Sequence, residues 1–361
     1  MRVLMTLDAV GGVWRYALDL AAALRPLGVE ACFLGFGPAP SLAQREEAEA
    51  LGPLDWSDAP LDWLAPDEAA LAPVPGVIAA TARARGADLL HLNLPTQAAA
   101  LDADMPVVAV SHSCVSTWFR AVRGTDLPPH WEWQGRLNAA GLRRADVAVA
   151  PSQAHADALL AAYGPLPGLR VVHNATLAPE GMPGDAPYVV AAGRWWDEGK
   201  GGATLDAAAA RVSWPVRIMG PTHGPNGAAF EPAHARPKGH LPHAEAVALM
   251  RGAGIFVSPS LYEPFGLAVA EAARAGLPLV LSDIPTFREL WDGAALFVPA
   301  GDPEALASLI DRLASDPDER RRLGLSAQAR ARGFTPDRQA AEMLGVYEDA
   351  LARRTPLRRA V

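Results

Sequence analysis

Short runs of β-branched and apolar residues alternate along this chain with Ala- and Leu-rich amphipathic stretches. That rhythm predicts βα units and parallel sheets, because each parallel crossover needs a helix and each buried strand reads as a short apolar run. Strands are expected over residues 3–7, 31–35, 89–94, 107–111, 147–150 and 171–173, with a first helix over 14–24. Residues 176–187 then carry three prolines and two glycines, the composition of an interdomain linker. A second series of strands follows at 188–193, 216–220, 255–258 and 279–282, with helices over 303–314 and 317–332. From about Pro336 the pattern is one long Ala/Leu/Arg helix. The expected division is therefore 1–178, 179–335 and a terminal helix over 336–361, and 361 residues suffice for two domains with separate cores. Residues 40–85, rich in Ala, Pro and acid, yield no clear assignment.

Composition excludes some function classes. The formal net charge is −8, which argues against polyanion binding as the main task. Lys200 and Lys238 are the two lysines, so almost all of the basic residues are arginine. Cys32 and Cys114 form no metal-like spacing and no disulfide framework, which favours a reducing compartment. The N-terminal residues acquire charge too soon for a signal peptide, and no apolar run is long enough to span a bilayer. The expectation is a soluble cytoplasmic protein.

The segment Glu263-Pro-Phe-Gly-Leu-Ala-Val-Ala-Glu271 carries two carboxylates eight positions apart. In a continuous helix that spacing would be about 12 Å, too far for an acid/base pair on one bond but suited to two ends of an elongated ligand. The helix start between them offers free N–H groups and positive dipole to a phosphate. A nucleotide-sugar has that shape. Gly193-Arg-Trp-Trp-Asp-Glu-Gly-Lys200-Gly-Gly places one Arg and one Lys in a turn between strand and helix. Fixed cations of this kind suit the charge that develops on a leaving diphosphate. Asp8-Ala-Val-Gly11-Gly12 joins the first strand to the first helix, without the spacing of a dinucleotide fingerprint or of a P-loop. His112 ends an apolar strand, where α/β proteins build their sites. His91 ends another and reads as an ordinary core or surface histidine. His223, His234, His240 and His243 cluster in sequence but read as solvated loop residues rather than a metal site.

These motifs, in this order, resemble the retaining GT-B glycosyltransferases of family 4, also called glycosyl transferases group 1. The resemblance is strongest from residue 193 to 299. It implies an α/β GT-B fold: two Rossmann-like domains facing a cleft, with the C-terminal helix crossing back to the N-terminal domain. The first domain would then take the acceptor and the second the nucleotide-sugar donor. Glu263 would face the transferred sugar, the backbone of Phe265, Gly266 and Leu267 the diphosphate or sugar, and Glu271 the ribose. Arg194 and Lys200 would contact the diphosphate, although Gly199 adds one residue to the family's Glu-Lys-Gly spacing. Leu241, with His240, would lie in the loop that reads the base. Gly11 and Gly12 would face donor phosphate and acceptor, and His112 the transferred sugar.

The catalytic set implied is His112, Glu263, Arg194 and Lys200, with no metal and no cofactor beyond the nucleoside diphosphate sugar, UDP or GDP first. Partners would be that donor and a carbohydrate, lipid-linked or small-molecule acceptor, as in bacterial cell-envelope polysaccharide synthesis. Peripheral contact with the inner face of the membrane is compatible with this, no nucleic acid is expected, and monomer is the default state. Another GT-B activity, such as a nucleotide-sugar epimerase, and a non-catalytic nucleotide-sugar binder are the rival readings. A phosphorolytic enzyme would need a pyridoxal-type lysine, which two lysines scarcely supply. The segment 220–227, Gly-Pro-Thr-His-Gly-Pro-Asn-Gly, has no assigned role.

Overall fold

The structure is a computed structural model that describes residues 1–182 and 184–358. Pro183 of the expected linker and residues 359–361 of the expected terminal helix lie outside the described residues. The chain divides into two compact units. The first comprises residues 1–175 together with the segment from Pro336 onward, and the second residues 176–335.

The first unit is built on seven parallel strands: β1 (Arg2–Asp8), β2 (Glu30–Phe36), β3 (Leu54–Ser57), β4 (Leu89–Leu92), β5 (Val107–Val110), β6 (Val147–Ala150) and β7 (Leu169–Val171). Their spatial order is β3-β2-β1-β4-β5-β6-β7. The second unit has six: β8 (Ala186–Ala192), β9 (Val216–Met219), β10 (Arg236–Pro237), β11 (Ala253–Ser258), β12 (Leu279–Ser282) and β13 (Leu296–Val298), in the order β10-β9-β8-β11-β12-β13. Each order reverses once, between β1 and β4 and between β8 and β11. In open α/β sheets, ligands collect at such switch points, beyond the carboxyl ends of the strands.

Alternation along each strand feeds two cores, one per sheet face. In β1, Val3, Met5 and Leu7 face one cluster and Leu4 the other. In β8, Tyr188 and Val190 face one cluster while Val189 and Ala191 face the other. The helix Pro336–Arg358 belongs to the first unit. Its Ala340, Met343, Val346, Tyr347 and Ala350 are buried with Leu18, Leu20 and Leu24 of the helix Gly12–Leu24.

The structure alters two assignments. The last strand of the first unit is Leu169–Val171, not 171–173, because its register pairs Leu169 with Ala148 and Val171 with Ala150. The unassigned segment 40–85 folds as helix Leu42–Glu49, strand β3 and helix Val74–Arg85. Two of its acidic residues hold neighbouring elements: Asp55 binds Arg85 in a two-pronged bond of 2.6 and 2.7 Å, and Glu47 receives Trp14 and Arg15.

Candidate active site

In the second unit the two most distinctive motifs flank the switch point, one leaving β8 and the other leaving β11. After β8 the chain passes Gly193 and Arg194, then makes a 3-10 turn at Glu198–Lys200. Asp197 caps that turn by accepting the Gly199 N–H at 2.9 Å. The Gly199 carbonyl accepts the amides of Leu261 at 2.8 Å and Tyr262 at 3.2 Å, which ties the turn to the loop after β11. Gly201 has φ 68°, and a Cβ there would stand 2.1 Å from the Pro259 carbonyl oxygen. A side chain would strain the backbone and collide with it at once. The extra residue, Gly199, is thus absorbed in a turn that locks two loops together.

That lock brings the Lys200 Nζ to 2.6 Å from Glu263 Oε2, with both side chains mostly buried. Arg194 lies 3.5 Å from Asp197 and over the Trp196 ring, 5.4 Å from its centroid. Beyond Glu263 the chain turns through Gly266, at φ 91°, into the helix Leu267–Arg274. Helix geometry leaves its first amides, from Leu267 on, without acceptors inside the helix. The Phe265 side chain is only 3% exposed and meets Phe334 edge-on at 5.5 Å, so it anchors the loop in the core. What Phe265 can offer a ligand is its backbone.

Because the helix begins only at Leu267, the 12 Å spacing of a continuous helix does not apply to Glu263 and Glu271. Each carboxylate has its own partner instead. Glu271 Oε1 lies 3.0 Å from His243 Nε2, at the start of the helix His243–Gly252. His243 is exposed, in keeping with the solvated reading of the four clustered histidines, and it also bonds Glu271. No signal within the segment 239–246 pointed to this contact, since 28 positions separate the pair. Leu241 packs half-buried against the core, and His240 is exposed. His223 faces Glu231 at 3.1 Å on the surface. Among the described residues no three His, Cys, Asp or Glu side chains gather as a metal-binding group.

In the first unit the Gly11-Gly12 turn opens the helix Gly12–Leu24. Gly11 is extended, at φ −145°, which any residue adopts, so what the glycine contributes is the lack of a side chain at a helix start. Asp8 tightens the turn by accepting the Val10 amide at 2.9 Å. His112, just past β5, lies with Nε2 2.8 Å from Asn93 Oδ1, its ring edge-on to Tyr16 at 4.3 Å. The Asn93 oxygen accepts, so Nε2 carries the proton in this network and Nδ1 is the acceptor. Burial, then the neighbouring His91 and His155, push His112 down to about 3. His112 is therefore neutral near pH 7.

His91 is fully buried and also neutral, pushed to about 4 by burial. Its Nε2 donates to the Asn93 oxygen at 3.2 Å and its Nδ1 accepts from the Tyr347 hydroxyl at 2.8 Å, which joins the sheet to the terminal helix. Of the two ordinary readings, core or surface, the structure selects the core. Asn93, which also binds Thr6 through both its backbone and its side chain, is the residue that sequence reasoning passed over. A lone amide at the end of an apolar run was the available signal.

In the second unit the structure pairs Lys200 with Glu263 just before the helix Leu267–Arg274, with Arg194 on the loop of Lys200 and Glu271 within the helix; in the first it sets a neutral histidine against Tyr16 of the helix Gly12–Leu24. Residues 10–176 match the family model described as Glycosyltransferase Family 4, and residues 230–330 match the one described as Glycosyl transferases group 1. A D-inositol 3-phosphate glycosyltransferase from Xylanimonas cellulosilytica is 28% identical over 291 residues, 70% of this chain and 68% of that one. A phosphatidyl-myo-inositol mannosyltransferase from Mycolicibacterium smegmatis is 28% identical over 72% of this chain and 71% of that one. A solved sucrose-phosphate synthase from Thermosynechococcus elongatus superposes with a TM-score of 0.79 at 20% identity, over 98% of this chain and 100% of that one. The Anabaena protein HepE, solved in complex with UDP and glucose, superposes with a TM-score of 0.73 at 20% identity, over 96% and 99% of the two chains. These likenesses establish the fold as GT-B, with two Rossmann-like domains.

Proposed function

The chain belongs to the group 1 glycosyl transferases, and from that premise we propose that it moves a sugar from a nucleoside diphosphate sugar to an acceptor hydroxyl with retention at the anomeric carbon. The observation that carries this is the pairing of two loops at the switch point of the second sheet, with Arg194 and Lys200 on one, and Glu263 on the other, which leads into the helix that holds Glu271. Arg194 and Lys200 neutralise the leaving diphosphate, helped by the first amides of the helix Leu267–Arg274. They do the work that a bound cation would otherwise do, so no metal is required. Glu271, steadied by His243, receives the ribose hydroxyls. UDP and GDP are the first donors to test, UDP because the HepE structure holds it.

Glu263 sits beside the transferred sugar. Its carboxylate is engaged by Lys200 at 2.6 Å, which favours a role beside that cation over one as a free nucleophile. The displacement therefore runs on the front face through an oxocarbenium-like state, with the departing phosphate oxygen accepting the acceptor's proton. Gly11, Gly12 and the neutral His112 serve the acceptor side, where His112 can orient a hydroxyl through Nδ1 but carries no charge. The acceptor is a carbohydrate, a lipid-linked or a small-molecule hydroxyl. Among the described residues no helix is long and apolar enough to cross a membrane, which is compatible with a cytoplasmic enzyme that meets such acceptors from solution or at a membrane face.

Titration calorimetry against UDP, GDP, ADP and TDP tests the donor site. One nucleotide should bind selectively, and Glu271→Ala should weaken it by about 10- to 100-fold, the worth of a hydrogen bond to a charged group. Glu263→Ala should mainly lower turnover. Normal affinity and normal rate in both variants would sink the assignment.

A further inference from the structure

The Gly/Pro-rich segment after β9 has no part in the donor reading, yet it is tightly built. It leaves the strand at Gly220, φ 106°, where a Cβ would stand 2.1 Å from the Gly193 carbonyl oxygen. The chain then doubles back: Gly224 N–H donates to Ala228, Gly227 N–H to Gly224, and Phe230 N–H to Thr222. This hairpin presses on Trp196, since a Cβ on Gly224 would lie 2.6 Å from the indole. The Arg194 guanidinium lies over the same indole. Backbone bonds pin Arg194 from both sides, from Gly193 N–H to Met219 at 3.1 Å and from Trp195 N–H to Pro221 at 2.9 Å.

An arginine side chain has several rotatable bonds, and fixing them costs rotamer entropy. A guanidinium already held by an indole and by Asp197 loses less of it when an anion arrives. The geometry points to Trp196, seated on the hairpin 220–230, as the positioning residue that aims Arg194 at the diphosphate of a nucleoside diphosphate. The inference rests on the reading above that Arg194 meets that diphosphate. It accounts for the unusual Gly-Pro-Thr-His-Gly-Pro-Asn-Gly segment: Gly220 lets the hairpin leave the sheet against Gly193, and Gly224 lets it close on the indole.

The test is calorimetry of the full chain with whichever of the four nucleoside diphosphates binds best, beside the matching nucleoside. Trp196→Ala should weaken the diphosphate about tenfold, the scale of one charge-assisted bond, and leave the nucleoside unchanged. Trp196→Phe should restore most of that loss. Gly224→Ala, which displaces the indole without removing it, should repeat the selective loss. Arg194→Ala sets the largest loss attainable. Wild-type diphosphate affinity in both Trp196→Ala and Gly224→Ala, with the loss present in Arg194→Ala, overturns the positioning role alone. Equal weakening of nucleoside and diphosphate in Trp196→Ala overturns it too, as general damage. An unchanged Arg194→Ala, or a wild type that binds none of the four, overturns the donor reading itself.

Discussion

Lys200 and Glu263 stand 63 positions apart in the chain and 2.6 Å apart in space. Removing one member of a mostly buried pair leaves the other charge without compensation, which costs about 3–5 kcal/mol when burial is complete. Lys200→Ala should therefore lower thermal stability as well as turnover, while Lys200→Ala/Glu263→Gln should regain stability and stay inactive. Equal melting temperatures in the single variant and the wild type would show that the pair is solvated in practice. The histidines of the first unit make a separate prediction about pH. His91 and His155 are pushed to about 4 and His112 to about 3, chiefly by burial, from an ordinary value near 6.5. The unfolded chain takes up these protons first, so their contribution is whole above about 6.5 and is lost as pH falls toward 4. Urea midpoints should drop between pH 7 and pH 5, and His91→Asn should flatten the drop by up to about 1.4 kcal/mol per pH unit.

Among the elements, the two loops at the second switch point matter more than the strands that carry them. Gly201 is the joint between them, at φ 68° and against the Pro259 carbonyl. Gly201→Ala should cost more than the 1 kcal/mol or so of a left-handed alanine, because the loops must also part. Chemical denaturation should show the loss, and donor affinity should fall with it. A variant with wild-type stability would mean that the loops slide freely past each other. Glu271 illustrates the limit of reading an element from spacing. The period of the helix Leu267–Arg274 was visible in its alanines, but where the helix begins depended on Gly266 adopting φ 91°.

On the scale of the molecule, the first unit is closed by residues that come last in the chain. Met343, Val346 and Tyr347 are buried against the helix Gly12–Leu24, and Arg354 binds Asp146 at 3.0 Å. A chain ending at Thr335 should lose the first unit's cooperative unfolding transition and keep that of the second, whose core residues all lie within 176–335. Met343→Ala alone should lower the first transition by about 2–5 kcal/mol. Calorimetric scanning separates the two, and a truncated chain that unfolds like the full one would show that the terminal helix contributes little.

The order of residues alone is enough to reveal the βα rhythm, most strand positions, the parallel sheets and the two donor-like motifs. Those features are local: strand and helix periods, turn glycines and charged residues a few positions apart all lie within one short window. It could not determine that Lys200 lands on Glu263, that His243 holds Glu271, that a hairpin backs Trp196, or that His91 bonds to Tyr347 256 residues away. Each of those depends on the order of strands in a sheet and on which helix covers which face. Such contacts form only when the chain closes large loops to bury its cores, and the entropy of that closure leaves no mark on neighbouring residues.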